Sequence, residues 1–308
     1  MSVLYKSDLA RGQAWAGYFA THAPELQFRI WPDSGDLAAV EYLVTWAPAP
    51  ELLRQLPNLQ VIFSTGAGVD HIDFSAVPPT VPVVRMVEPG IINGMVEYVS
   101  WAVLAIHRTM REYAALQSAG QWRELAVVPA SARCVGVMGL GVLGTAVLGR
   151  LGSFGYRLAG WSRTRRELIG VQTWAGAAEL PAFLQRCDML VCLLPLTSET
   201  RGILNARLFA QLPRGATLIN VGRGAELDND ALLAALASGQ LSQAILDVTE
   251  PEPLPPGHPF WHHPGITLTP HIASVTQPLS AAAVLLDNLR RHRRGEPLHD
   301  QIDRGRGY

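Results

Sequence analysis

Residues 135–144 read VGVMGLGVLG, and no other stretch narrows the choice of fold so far. Gly139, Gly141 and Gly144 are spaced G-x-G-x-x-G. They follow the apolar run RCVGVMG and open VLGTAVLGRLGSFG, whose spacing predicts a helix. In that strand–turn–helix context each glycine has its own physical task. The first makes a tight turn, the second lets backbone approach a pyrophosphate, and the third lets helix and strand pack closely. The N–H groups that open the helix then face an anion. The expectation is a dinucleotide-binding βαβ unit.

The flanking sequence extends this unit into a series. Apolar runs with little polar alternation recur at DMLVCLL, ATLINV, QAILDV and ITLTP, after YRLAGWS and between helical stretches such as NARLFAQL and DNDALLAALASG. Such runs predict strands covered on both faces, hence a doubly wound parallel sheet. The first ninety or so residues repeat the alternation with SVLY, LQFRIW, EYLVTW, QVIFST and VPVVRM, which predicts a second, smaller α/β unit. Between the two series, NGMVEYVSWAVLAIHRTMREYAALQ predicts one helix of about 25 residues with Asn93 as its cap. It is apolar nearly all round, so burial on several sides, including against another subunit, is expected. The last helical stretch, QPLSAAAVLLDNLRRHRRG, follows the final strand and is assigned back to the first unit. The domains are therefore expected at 1–92 plus 275–308 and at 93–274.

Composition mostly excludes. A net charge of -1 gives no electrostatic case for nucleic acid or an anionic membrane. The RRHRRGE cluster ends an apolar helical stretch, where arginine is favourable anyway. No apolar run approaches the ~18 residues of a membrane span, and the first residues lack the apolar core of a signal peptide. Cys134, Cys187 and Cys192 show neither disulfide nor zinc spacing. A cytosolic protein is expected. His258, His262 and His263 cluster in a loop, but Pro259 and Pro264 argue against a helical ligand pair, and no metal is expected. Lys6 is the only lysine, so a P-loop and a Schiff-base lysine are disfavoured.

The second predicted strand of the coenzyme series ends at Trp161–Ser162, where an acidic residue would accept from a ribose diol. This chain has WSRTRR instead. Ser162 can donate to a 2′-phosphate and Arg163 can clamp it with planar, charge-assisted hydrogen bonds. NADPH is the expected cofactor, with NADH less favoured.

Three segments place reactive side chains just past predicted strands: Arg223 in INVGRGAELDNDAL, Asp247 and Glu252 in LDVTEPEPL, and His271 in LTPHIAS. Ligands of doubly wound sheets bind at such positions. Reduction of a ketoacid builds negative charge on the carbonyl oxygen, which calls for a proton donor and a cation. His271 suits the first task because imidazole titrates near neutrality, with a carboxylate to orient it. Glu252 and Glu250 both remain open for that partner. Arg223 suits the second task and can also pair with the substrate carboxylate. In the first unit, FSTGAGVDHID has the glycines for a backbone anion nest around Gly66–Gly68, and Trp46 in VTWAP can wall a small pocket.

Together, GAGVD, GLGVLG, LLPLTSET, NVGRGAELD, LDVTEPEPLP and TPHIAS, in this order and across essentially the whole chain, resemble the D-2-hydroxyacid dehydrogenase family. Within it, WSRTRR, PLPPGHPFWHHPGITLTPHIAS and the ending QIDRGRGY look most like the bacterial glyoxylate/hydroxypyruvate reductases of the A type. The resemblance implies an α/β fold of two Rossmann-like domains, one flavodoxin-like and one dinucleotide-binding, with parallel sheets and the active site in their cleft. It implies NADPH-dependent reduction of glyoxylate to glycolate and hydroxypyruvate to D-glycerate, by a homodimer paired through the coenzyme domain. It assigns His271 as acid/base, Glu252 as its partner, and Arg223 as substrate ligand with Trp46, Ala67 and Gly68. The implied cofactor set is Gly139, Leu140, Gly141, Val142, Leu143, Gly144, Ser162, Arg163, Thr164, Arg166, Leu194, Pro195, Thr200, Val221, Gly222, Arg223, Asp247, His271 and Ala273, with Asp247 near the nicotinamide carboxamide. The alternatives are a reductase of a bulkier 2-ketoacid and a non-catalytic NAD(P)H-sensing protein.

Overall fold

The computed structural model describes residues 1–306; Gly307 and Tyr308, the end of QIDRGRGY, lie outside the described residues. Two compact units divide the chain, Met1–Ile91 with Val275–Tyr308 and Ile92–Ser274. Each has its own parallel sheet.

The first unit begins with β1 (Ser2–Lys6), α1 (Leu9–His22), β2 (Gln27–Ile30) and β3 (Tyr42–Thr45). It continues through α2 (Pro50–Leu53), β4 (Val61–Ser64) and β5 (Val83–Val84). The strands pair in the order β2-β1-β3-β4-β5, all parallel. β3 and β4 are buried throughout, which is why their sequences show no polar alternation. Asp8 starts α1 by accepting from the Arg11 N–H at 2.8 Å, and Trp15 and Phe19 form its buried stripe. Thr45 and Ser64 are partners in the β3–β4 register. The residues after those two strands, Trp46 and Thr65–Gly66, therefore emerge side by side at the carboxyl edge of the sheet. The C-terminal helix Pro278–Arg293 belongs to this unit. Its arginine-rich last turn is tied down locally: Arg290 donates to the His22 carbonyl, and Tyr42 pairs with His292.

The predicted 25-residue helix is in fact two. Helix α3 (Pro89–His107) starts four residues before Asn93, because buried Glu88 takes the capping role and accepts from the N–H groups of Gly90 and Ile91. The same carboxylate accepts from the Gln277 N–H and the Ser280 hydroxyl, so one side chain also holds the start of the C-terminal helix. After His107 the chain turns left-handed at Thr109 (φ 52°) and restarts as α4 (Met110–Ser118). Helix α3 has the length and hydropathy of a membrane span, although the sequence shows no uninterrupted apolar run of that size. Its Met95, Val99, Ala102, Val103 and Ile106 share one buried cluster with Val135 and Val137, while only 33% of its most apolar stretch is buried, so the burial on several sides expected from the sequence is not met within one chain.

The second unit runs β6 (Cys134–Met138), α5 (Val142–Gly152), β7 (Arg157–Ser162), β8 (Gln172–Ala175), α6 (Gly176–Leu184) and β9 (Met189–Cys192). It is completed by α7 (Ala206–Phe209), β10 (Ala216–Asn220), α8 (Asn229–Ala237), β11 (Leu241–Leu246) and β12 (Ile266–Leu268). The parallel order is β12-β11-β10-β9-β6-β7-β8. Strand β8 has no counterpart among the apolar runs. It is a short edge strand with Gln172 exposed, so it carries little hydrophobic signal. The chain winds one way from β6 through β7 and the other way from β9 through β12. The carboxyl ends of β6 and β9 therefore form the switch point where α/β sheets receive ligands. All three cysteines are buried free thiols, and burial together with the neighbouring Glu226 pushes the Cys192 thiol well up.

Candidate active site

Residues Gly139–Gly144 sit at that switch point. Gly139 has φ 105°, a conformation that side chains resist, and a Cβ there would press on the Leu193 carbonyl. A Cβ on Gly144 would collide with the Gly139 carbonyl, so this glycine sets the close approach of α5 to β6. A Cβ on Gly141 would meet nothing within 4 Å. The N-cap of α5 is Gly141, which has no side chain to cap the helix, so among the described residues the first N–H groups of the helix face the glycine turn as anion donors. The backbone thus forms an open cradle with donors at its base, and a dinucleotide pyrophosphate fits it.

β7 ends beside this turn, where the Gly139 N–H donates to the Trp161 carbonyl at 2.9 Å. Ser162 follows, its hydroxyl donating to the Thr164 carbonyl, and Arg163, Thr164 and Arg166 are exposed. Arg165 is paired with Glu179. Of the other implied cofactor residues, Val142 is exposed and Leu143, Pro195 and Thr200 are half-buried. Leu140, Leu194, Val221, Gly222 and Ala273 are buried. Thr200 braces the turn after β9 by donating to the Pro195 carbonyl at 2.7 Å.

His271 stands two residues beyond Thr269 on the loop that follows β12, at φ 55°. This left-handed backbone is uncommon for a residue with a Cβ and needs support from its surroundings. Asp247, 2% exposed, supplies that support. Its carboxylate accepts from the Thr269 hydroxyl at 2.6 Å and from the N–H groups of Ile272 and Ala273 at 2.8 Å. The His271 N–H donates to the Asp247 carbonyl, also at 2.8 Å. Because Thr269 donates to Asp247, the Tyr98 hydroxyl must donate to Thr269. Burial, with the Asp247 charge adding to it, pushes Tyr98 up to about 12, so the phenol keeps the proton it donates. Asp247→Ala is expected to lower stability by about 2–5 kcal/mol, read as a drop in Tm. It should also reduce kcat about tenfold or more by loosening the His271 corner; unchanged Tm and kcat would contradict this account.

The His271 ring places Nδ1 2.9 Å from Oε2 of Glu252, whose Oε1 accepts from the Thr249 N–H. Between the candidates Glu250 and Glu252, it is Glu252 that the structure places on the imidazole. With Nδ1 held there, Nε2 is the ring nitrogen that Glu252 does not engage.

Arg223 lies just past β10. Its N–H donates to Oε2 of Glu226 at 3.1 Å, and Nη1 donates to the Gly222 carbonyl at 2.8 Å. Glu226 is fully buried, its Oε2 also within 3.2 Å of the Cys192 thiol. Sequence reasoning missed Glu226, Tyr98 and Thr269 as supports. An acid in a loop segment and a tyrosine in an apolar helix give no sign of their partners. Of the loop histidines, His258 and His263 accept from the N–H groups of Phe260 and Gly265 through Nδ1.

A parallel sheet with a glycine turn at its switch point, and an Arg, Glu and His set past its other strands, defines a dinucleotide-dependent oxidoreductase. Residues 100–273 match the family described as D-isomer specific 2-hydroxyacid dehydrogenase, NAD binding domain. The chain is 39% identical to glyoxylate/hydroxypyruvate reductase A of Serratia proteamaculans (strain 568), covering all of both chains. A D-isomer specific 2-hydroxyacid dehydrogenase from Xanthobacter autotrophicus Py2, solved with NADPH and MES, superposes with a TM-score of 0.95 at 39% identity, over 100% of this chain and 99% of that one. An NADPH-dependent glyoxylate/hydroxypyruvate reductase from Sinorhizobium meliloti, solved with NADP and sulfate, gives 0.93 at 38% identity over the same shares. The chain belongs to the D-isomer specific 2-hydroxyacid dehydrogenase family. It is an enzyme of that family, a reductase working with a nicotinamide dinucleotide.

Proposed function

We propose that the protein reduces small 2-oxoacids with NADPH, converting glyoxylate to glycolate and hydroxypyruvate to D-glycerate. The observation that carries this reading is the His271–Glu252 pair, 2.9 Å apart on a corner braced by Asp247, within the domain that bears the glycine cradle. When bound, NADPH supplies the hydride that reduces the carbonyl carbon. The chain's residues do the rest. The Arg223 guanidinium, which donates through Nη1 to the Gly222 carbonyl, pairs with the substrate carboxylate and draws charge toward the adjacent carbonyl oxygen. The Glu252 carboxylate, on Nδ1, fixes the orientation of the ring. His271 then donates the Nε2 proton to the oxygen as charge develops there. Ala67 and Gly68 contribute backbone to the substrate carboxylate, and Trp46 limits the size of the group beyond the carbonyl.

Ser162 and Arg163 hold the 2′-phosphate, with Thr164 and Arg166 alongside. Arg163→Asp should cut the NADPH-over-NADH preference in kcat/KM by about tenfold or more, since each charge-assisted bond contributes about 1.5–3 kcal/mol. An unchanged ratio refutes the assignment. The exposed apolar side of α3, where Trp101 is 47% exposed, supports a homodimer paired through the coenzyme domain.

A panel of 2-oxoacids assayed with NADPH and with NADH tests the proposal. Fastest oxidation of NADPH with glyoxylate or hydroxypyruvate supports it. Fastest turnover of a branched or aromatic 2-oxoacid assigns another specificity, and tight nucleotide binding without turnover across the panel assigns a sensor.

A further inference from the structure

The geometry points to His71 as a positioning residue for substrate selection, a plate and clasp that hold Trp46 in one orientation. This inference rests on the proposed role of Trp46 as a wall of the substrate pocket. β3 and β4 bring Trp46 and Gly66 to adjacent positions at the carboxyl edge of the first unit's sheet. The Trp46 indole lies flat on the His71 imidazole, with ring centroids 3.8 Å apart and planes 4° from parallel. The same imidazole reaches the backbone of the residue it stacks on, with Nε2 2.7 Å from the Trp46 carbonyl. That carbonyl only accepts, so Nε2 carries the proton. At the ring's far edge, a Cβ on Gly66 would lie 2.6 Å from Cζ3 of Trp46. Only glycine leaves the indole room there. Gly66 is itself fixed, its N–H on the Ser64 hydroxyl and its carbonyl on the Met86 N–H.

These contacts define one face and one edge of the indole, and Trp46 as a whole remains 45% exposed. A large side chain that covers little of its own surface normally samples several rotamers. Here the stack, the bond to its own carbonyl and the missing Cβ select one. A wall discriminates between substrates only if it cannot swing aside for the larger one. His71 thus supplies rigidity, while Trp46 supplies shape.

The test compares His71→Ala, His71→Phe, His71→Gln, Trp46→Ala and the His71→Ala/Trp46→Ala double variant, using the full chain with NADPH. Glyoxylate and 2-oxo-4-methylpentanoate are the two substrates, with KM and kcat measured separately. His71→Ala is expected to raise the KM for glyoxylate about five- to twentyfold with kcat within about twofold, and to shift kcat/KM selectivity about tenfold toward the branched acid. His71→Phe, which keeps a plate without a donor, should restore most of the selectivity. His71→Gln, a donor without a plate, should restore less. Trp46→Ala should shift selectivity in the same direction, and the double variant should shift it no further. If Trp46→Ala shifts selectivity and none of the His71 variants does, or if their shifts add in the double variant, the clasp is overturned and the pocket wall stands. If Trp46→Ala leaves selectivity unchanged, the wall itself fails and the inference falls with it.

Discussion

His271→Gln is expected to lower kcat for glyoxylate reduction about a hundred- to ten-thousandfold, the range a positioned general acid contributes. Glutamine can still reach the Glu252 carboxylate but cannot deliver a proton to a developing alkoxide. The Kd for NADPH should change far less than kcat, because His271 is one of many residues in the implied cofactor set and the cradle at Gly139–Gly144 is built from other elements. Glu252→Gln keeps a hydrogen-bond acceptor near Nδ1 while replacing a charged partner with a neutral one. Its loss in kcat should be smaller than that of His271→Gln. Equal kcat for His271→Gln and the parent enzyme would remove the imidazole from the reaction.

Arg223→Gln is expected to act on both kinetic constants. One guanidinium is assigned two tasks, pairing with the carboxylate in the ground state and stabilising the carbonyl oxygen in the transition state. Loss of the first raises KM, and loss of the second lowers kcat by about a hundred- to a thousandfold, as when an oxyanion donor is removed. Arg223→Lys keeps the charge and loses the planar fork, so it should recover only part of kcat/KM. If Arg223→Gln raised KM alone, the arginine would be a binding residue without a share in the chemistry.

What was legible in the sequence followed from burial and from backbone demands. Fully buried strands such as β6 and β9 read as unbroken apolar runs, and the glycine turn marked the switch point because Gly139 and Gly144 admit no side chain. Arg223 and His271 were legible because both stand just past strands of the coenzyme series. The break at Thr109 was not, because an apolar pattern continues across it and nothing in threonine announces a left-handed backbone. Asn93 looked like a cap through its chemistry, while the true cap, Glu88, is a residue type that more often faces solvent. The supports of the site were hidden for a related reason. Asp247 holds the His271 corner from 24 residues earlier in the chain, and Tyr98 reaches Thr269 across 171 positions. Such partners become visible only once the sheet has aligned its strand ends.

The account's central claim is that this chain passes a hydride from a reduced nicotinamide to the carbonyl carbon of a small 2-oxoacid. Incubation with [4,4-²H₂]NADPH and unlabelled glyoxylate, followed by mass analysis of the product, reads that transfer directly. The account predicts glycolate carrying one deuterium on carbon 2, formed in step with loss of NADPH absorbance. Recovery of glyoxylate unchanged beside intact NADPH, or glycolate without deuterium, would contradict it.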